Sequence, residues 1–251
     1  MVSKSRVTGA AARRASNREQ MRTAILDAAR SIVTDSGIDG LTIRAVATAL
    51  DYSPGAIYEY FASKEDILTW LYFQGASGLG GRMEQAVADL PPGTSAVDGM
   101  MSLARAYRAH ALANRELYGL VFGGMTCLPD PPKVEHPEME AGGFGTLVRL
   151  AQRGVDEGSL VALPVSLIAH AAWSAVHGFV SLELQGHITG AFAPGMPTGS
   201  PELARQHRDE FFETVIRMML VGFVTREYRT TMPDTLAAPA RLTGTATELT
   251  D

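Results

Sequence analysis

Apolar positions recur along most of this chain at spacings of three and four, the period of a helix with one buried face. Over residues 17–36, Ile25, Ala28, Ala29, Ile32 and Val33 mark a first helix that Gly37 ends in the C′ position. Leu41, Val46 and Leu50, with Ala45, Ala47 and Ala49, give a short second helix. A third opens at Ser53-Pro54, serine as N-cap and proline as first helical residue, and runs to Phe61, with Ile57 and Phe61 inward and Tyr58 outward. Ser63 caps a longer helix that begins at Lys64 and carries Ile67, Leu68, Leu71 and Tyr72. Gly75, Gly78, Gly80 and Gly81 are expected to bend it. After the break at Pro91-Pro92-Gly93, helices are predicted over residues 94–114, with a short continuation through Leu117, Leu120, Val121 and Phe122, then over 138–157, 165–185 and 201–228. The last two are apolar on two sides, which predicts burial on two sides. The fold class is all-α, a three-helix helix-turn-helix domain followed by a helical bundle.

The chain is 46% hydrophobic and 20% charged, a globular composition. A single cysteine, Cys127, excludes an intrachain disulfide and a multi-cysteine zinc site and fits a cytoplasmic location. No signal peptide is expected, because no apolar segment follows the basic start. The run from Leu163 to Leu184 is long enough to invite a membrane assignment, but Pro164, His170, His177 and Glu183 make it a buried bundle helix. The net charge of −5 is uneven: residues 1–64 carry nine Lys/Arg against six Asp/Glu, and the remainder thirteen against twenty-one. Lys4, Arg6, Arg13, Arg14, Arg18 and Arg22 face only Glu19, a density suited to DNA phosphates or a minor groove. The expected division is a basic flexible arm at 1–16, a helix-turn-helix domain at 17–64, a helical effector-binding and dimerisation domain at 65–230 and a disordered tail at 231–251. No HExxH, paired cysteines, nucleophile elbow or phosphate loop is present, and His110, His170 and His177 lack metal-ligand spacing. No catalytic residue, cofactor or metal is assigned, and an enzyme is the disfavoured class.

The chemistry concentrates between Gly37 and Lys64. Thr42 stands at a helix start, where unpaired N–H groups suit an anion. Small residues lead the third helix, so its N-terminal end can press against base edges in a major groove. Taken singly, Thr42 is equally a cap, Tyr58 and Tyr60 core-edge aromatics, and Lys64 a surface charge. Together, Leu41-Thr42, Arg44, Ala47, Ser53-Pro54-Gly55, Ile57-Tyr58, Tyr60-Phe61 and Ser63-Lys64-Glu65 resemble the DNA-binding domain of the tetracycline-repressor (TetR) family of bacterial regulators. The resemblance implies that Thr42, Tyr58 and Lys64 hold phosphates. It also implies that Arg44, Ser53, Pro54, Gly55 and Tyr60 lie against base edges or the adjoining backbone. Asp51 replaces the usual turn glycine and is expected to keep the left-handed conformation at small cost. Glu59 is a second departure, a negative charge close to DNA.

By the same resemblance the C-terminal helices bind a ligand and dimerise, and Trp173, His177 and Gly178 resemble a subgroup marked by Trp, His and Gly. By residue type the candidate pocket-liners are Tyr107, His110, Phe122, Met125, Phe144, Trp173 and His177, with core packing as their alternative role. The two-sided pattern of the last long helices places Ala175, Gly178, Phe179 and Leu182 with Phe211, Val215 and Met218 at a dimer seam, and leaves Glu213 and Arg217 as an exposed pair. Residues 128–137, with four prolines, form a loop suited to gating a pocket, and 190–200 is expected to be poorly ordered. These readings converge on a homodimeric repressor released from double-stranded operator DNA by a small, largely apolar ligand, with no membrane partner. The alternative is a DNA-binding regulator without a small-molecule effector, answering to a protein partner or to its own concentration.

Overall fold

The computed structural model describes residues 9–122, 143–189 and 200–231. Among them are ten helices: α1 (Gly9–Gly40), α2 (Ile43–Ala49), α3 (Pro54–Tyr58), α4 (Lys64–Ala88), α5 (Ala96–Ala113), α6 (Arg115–Phe122), α7 (Gly143–Asp156), α8 (Val165–Leu184), α9 (Pro201–Phe223) and α10 (Arg226–Thr231). The chain divides into two compact units, Met1–Ala76 with Glu116–Glu135, and Ser77–Arg115 with His136–Asp251. The division drawn at Lys64 bounds the reading motif; the first packed core takes in more chain.

In the first unit, Ile25 and Ala29 of α1 and Val46 of α2 close a buried apolar core with Ile57, Phe61, the α4 residues Ile67 and Leu71, and Leu120 of α6. Two short helices cannot bury a core alone, so α1 and α4 supply its walls. Gly37 interrupts α1 at φ 70°, the left-handed value that glycine adopts freely. The expected flexible arm is corrected here: α1 is helical from Gly9, so Arg13 and Arg14 lie on a helix, and residues 1–8 fall outside the described residues. The run Ala10-Ala11-Ala12-Arg13-Arg14-Ala15 is built of strong helix formers, which carries the helix back past Asn17. The glycines expected to bend α4 do not interrupt its helical assignment. A Cβ on Gly75 would lie 3.1 Å from Val121 Cγ2, so that glycine admits α6 to the core and leaves α4 continuous.

In the second unit, α5 packs against α7, α8 and α9, and α8 against α7 and α9. An ion cluster built on a buried Arg108–Glu183 pair joins three of these helices. The Arg108 guanidinium on α5 donates to both carboxylate oxygens of Glu183 on α8, at 2.6 and 2.7 Å, and to Asp209 on α9 at 2.7 Å. Its guanidinium carbon lies 5.0 Å from the ring centroid of Phe212. α8 is long and apolar enough to cross a membrane, yet it has bundle neighbours on three helices and carries the paired Glu183.

Three further expectations are revised in this unit. Glu213 and Arg217 are not an exposed pair: Glu213 is half-buried and also accepts two bonds from Arg105, at 2.6 and 2.8 Å. Phe179 does not face outward, because it is buried against Phe211 and Phe212 at centroid distances of 5.6 and 5.2 Å. The last long helix stops at Phe223 and does not reach Tyr228. Val224 turns extended and bridges Leu160, while the Val161 N–H donates to the Phe223 carbonyl at 2.8 Å and the Thr225 N–H to that of Ser159 at 3.1 Å. These bonds to a distant segment replace the ones a continued helix would make. The proline-rich stretch 128–137, Met125, Cys127, most of the 190–200 loop and all but the first residue of the 231–251 tail lie outside the described residues.

Arg108→Ala leaves the buried Glu183 carboxylate with only Arg208, at 3.5 Å, as counter-charge, and is expected to cost about 3 kcal/mol in urea unfolding. The double variant Arg108→Leu, Glu183→Leu is expected to recover most of that loss.

Candidate nucleic-acid interface and internal cavity

The α2–turn–α3 segment is held by local caps. Thr42 precedes α2 in an extended conformation, and its Oγ1 accepts the Ala45 N–H at 3.0 Å. At the turn, Asp51 takes φ 58°, the left-handed value expected of a residue standing in for glycine. The Tyr52 N–H then closes on the Ala47 carbonyl at 2.9 Å. Ser53 caps α3 by accepting the Ala56 N–H at 3.3 Å, with Pro54 opening the helix. α3 itself ends at Tyr58, three residues short of the predicted Phe61, because the Tyr60 and Phe61 N–H groups both turn back to the Ile57 carbonyl. This tight close drives Phe61 into the core.

Most of the predicted contact residues are brought to the surface of this segment: Thr42, Arg44, Ser53, Pro54, Gly55 and Tyr58 are all exposed. Tyr58 presents 57% of its surface to solvent, and Tyr52 beside the turn 49%. Two large aromatics left outside a complete core call for a partner. Gly55 has ordinary helical backbone, and a Cβ there would meet only Ser53 Oγ at 3.7 Å. The fold does not require glycine at this position. Tyr60 is half-buried against the core rather than fully presented. Lys64 is also placed differently from expectation: its Nζ donates to the Ile38 carbonyl at 2.9 Å, just past the Gly37 break. That bond ties the start of α4 to the end of α1.

Arg18 and Arg22, grouped by charge with the flexible arm, are turned onto the chain itself. Arg18 donates to the Glu59 carbonyl at 3.2 Å and Arg22 to the Tyr60 carbonyl at 3.3 Å. Sequence pattern held no signal for this, since the partners lie 41 and 38 residues away.

The second unit holds a small apolar cavity of about 20 Å³, room for about one water. Met83 of α4, Met100, Leu103, Ala104 and Tyr107 of α5, Leu147 of α7, Ala172, Trp173 and Val176 of α8, and Ile216, Met219 and Leu220 of α9 line it. Of the predicted liners, Tyr107 and Trp173 are therefore in the wall. His177 stands behind it, with Nδ1 2.9 Å from the Tyr107 hydroxyl. Burial holds the His177 imidazole below its ordinary value, so it is neutral near pH 7. Phe144 is not among the lining residues and makes an edge contact with Trp173, centroids 5.6 Å apart. His110 lines a separate polar cleft with Arg82, Gln85, Asp89 and Asn114, where burial and then the Arg82 charge lower it as well. Phe122 belongs to the first unit and stacks on Tyr118 there. The stripe Met100, Leu103, Ala104, Tyr107 has helical spacing, so extending the Tyr107 face by two turns would have found the α5 wall.

Of the residues expected at a dimer seam, Leu182, Phe211 and Met218 are exposed, Ala175, Gly178 and Val215 are half-buried, and Phe179 is inside. A Cβ on Gly178 would meet nothing within 4 Å. Met218, at 71%, is among the most exposed large apolar side chains on the described surface.

Residues 25–69 match the family described as bacterial regulatory proteins, tetR family, and residues 100–219 that described as tetracyclin repressor-like, C-terminal domain. The HTH-type transcriptional regulator Rv1816 of Mycobacterium tuberculosis (strain ATCC 25618 / H37Rv) is 31% identical over 125 residues, 50% of this chain. The match spans 51% of that relative, so the chain covers about half the length of the curated relatives it matches. A protein with unknown function from Rhodococcus sp. RHA1 superposes with a TM-score of 0.61 at 25% identity, over 81% of this chain and 95% of that one. RolR, solved in complex with the ligand resorcinol, shares the fold at a TM-score of 0.55 and 17% identity, over 90% of this chain and 96% of its own.

Partly buried imidazoles held neutral make folding release protons at low pH. His110 and His177 therefore favour the fold fully above the unfolded histidine value of about 6.5, and that contribution is lost as pH falls through it. The melting temperature is expected to drop between pH 7.5 and 5.5, and to drop less in the variant His110→Gln, His177→Gln.

Proposed function

The chain belongs to the tetR family of bacterial regulatory proteins, and from that membership we propose that it is a homodimeric cytoplasmic repressor, released from operator DNA by a small, largely apolar ligand. The observation that carries the DNA half is the exposed α2–turn–α3 segment, capped at Thr42 and Ser53 and bearing Tyr58 on its surface. The short reading helix leads with Pro54, Gly55 and Ala56, whose small side chains suit approach to base edges. Arg44, Ser53, Pro54 and Gly55 meet bases or adjoining backbone. Thr42, Tyr58 and Lys64 meet phosphates, Lys64 with the two N–H donors left after its bond to Ile38. Tyr60 lies at the edge of the contact.

Dimerisation is supported by the exposed apolar side chains of α8 and α9. Leu182, Phe211 and Met218 lie outside the core of their own subunit, and Ala175, Gly178 and Val215 keep the same surface low enough for a second copy. The effector half rests on the cavity in the second unit, apolar except for the Tyr107 hydroxyl with its His177 partner and the Trp173 indole N–H. As it stands the cavity is too small for a ligand, so entry requires its walls to yield. Met83, Met100 and Met219 are the side chains suited to that. A ligand that favours a different arrangement of the two reading heads lowers DNA affinity by its differential binding to the two states. The small closed volume equally favours a second reading, a regulator that uses no small molecule.

Fluorescence-anisotropy titrations against a duplex selected from random sequence by the wild-type chain, and against random duplex, test the DNA reading. Tyr58→Phe and Lys64→Ala are expected to weaken both duplexes alike, while Arg44→Ala erodes the preference for the selected one. Equal losses on both duplexes for Arg44→Ala would contradict its base-reading role. Replacing Leu182 and Met218 together by lysine is expected to give a folded monomer in sedimentation; an unchanged dimer would place the seam elsewhere.

A further inference from the structure

We infer that Arg22, whose charge the sequence groups with DNA-backbone contacts, is a positioning residue that grips the C-terminal end of the reading helix and fixes the orientation in which α3 meets DNA. The inference rests on the reading of α2–turn–α3 as the DNA-contacting segment. α3 has five residues and one buried side chain, Ile57. So short a helix cannot set its own axis by packing. Its first turn is fixed by the Ser53 cap, and the Tyr60 and Phe61 N–H groups close its end on the Ile57 carbonyl, which leaves the Glu59 and Tyr60 carbonyls just beyond it to be held from another helix.

Arg22 supplies the missing hold. Its Nη1 donates to the Tyr60 carbonyl at 3.3 Å. The same guanidinium lies over two aromatic rings, 4.7 Å from the centroid of Phe61 and 4.6 Å from that of Trp70. Phe61 is the buried residue that closes α3, and Trp70 stands on α4. One planar cation thus joins α1, the end of α3 and α4. Arg18 repeats the motif less tightly, with its bond to the Glu59 carbonyl and its guanidinium 5.6 Å from the Tyr60 ring. A guanidinium held over two rings and bonded to a carbonyl is committed to the fold, and lysine cannot replace it: an ammonium keeps the charge but loses the planar fork of donors. A phosphate contact would behave in the opposite way, tolerating lysine and contributing to the salt dependence.

The test uses the full-length chain and its Arg22→Lys and Arg22→Ala variants, titrated on the selected and random duplexes at several salt concentrations. Both variants are expected to lose about tenfold in affinity for the selected duplex, with random-duplex affinity and salt slope unchanged. Wild-type affinity in Arg22→Lys overturns the inference. So does an Arg22→Ala variant that weakens both duplexes equally and lowers the salt slope by about one. Amide hydrogen exchange gives a readout independent of DNA: over residues 54–62 it is expected to speed up in both variants while α5, α8 and α9 stay unchanged. If the wild-type chain prefers no duplex, the DNA reading fails while exchange still decides the grip, since an unchanged rate in Arg22→Lys overturns it. Should Arg22→Ala fail to fold, Trp70→Leu keeps the charge and removes one ring; it is expected to behave as Arg22→Lys, and wild-type behaviour there overturns the inference.

Discussion

A helix of five residues cannot aim itself. α3 carries the side chains expected to read DNA, yet it buries only Ile57 and is too short for its own hydrogen bonds to hold it. Its geometry is therefore imposed from outside: by the Ser53 cap at one end, by the left-handed Asp51 before that cap, and by the arginines of α1 at the other end. The remainder of the first unit serves this constraint. α1 is long because it must supply both core and grip, and Lys64 ties the corner between α1 and α4. Positive charge that looks from composition like a DNA-binding arm is partly spent inside the protein.

The second unit meets the reverse problem, long helices with ample apolar surface and too little to fix their register. Arg108, Glu183 and Asp209 answer it. Hydrophobic contacts tolerate sliding, whereas a bidentate pair in a buried site has one satisfactory arrangement. The side chains that line the cavity carry no charge, and the polar groups among them are the Tyr107 hydroxyl, beside a neutral His177, and the Trp173 indole N–H. That wall suits an uncharged, mostly apolar guest, and its methionines can make room for one.

Local signals were legible in the sequence and distant ones were not. The Thr42, Ser53 and Ser63 caps, the inward Ile57 and Phe61, the outward Tyr58 and the left-handed Asp51 all follow from neighbours within a few residues. The Arg22 contacts and the Arg108 cluster join residues tens to a hundred positions apart, and periodicity carries no trace of such pairings. The same limit explains the misplaced end of α9, where a bridge to Leu160 overrides a continuing helical pattern. It also explains Phe179, whose stripe was assigned to a partner subunit while Phe211 and Phe212 of the same chain cover it. Pocket assignment by residue type found Tyr107 and Trp173 but missed the methionines, because nothing in a methionine's sequence context separates a yielding wall from ordinary core.

Hydroxyl-radical footprinting of the full-length chain on a duplex that it selects from random sequence tests the central claim most directly, because it reports contact and symmetry together. Two protected patches related by a two-fold axis and centred about 34–36 Å apart along the helix are expected, one for each reading head of a dimer. A single unrepeated patch would contradict the dimeric reading, and diffuse protection on every duplex would contradict sequence-specific reading altogether.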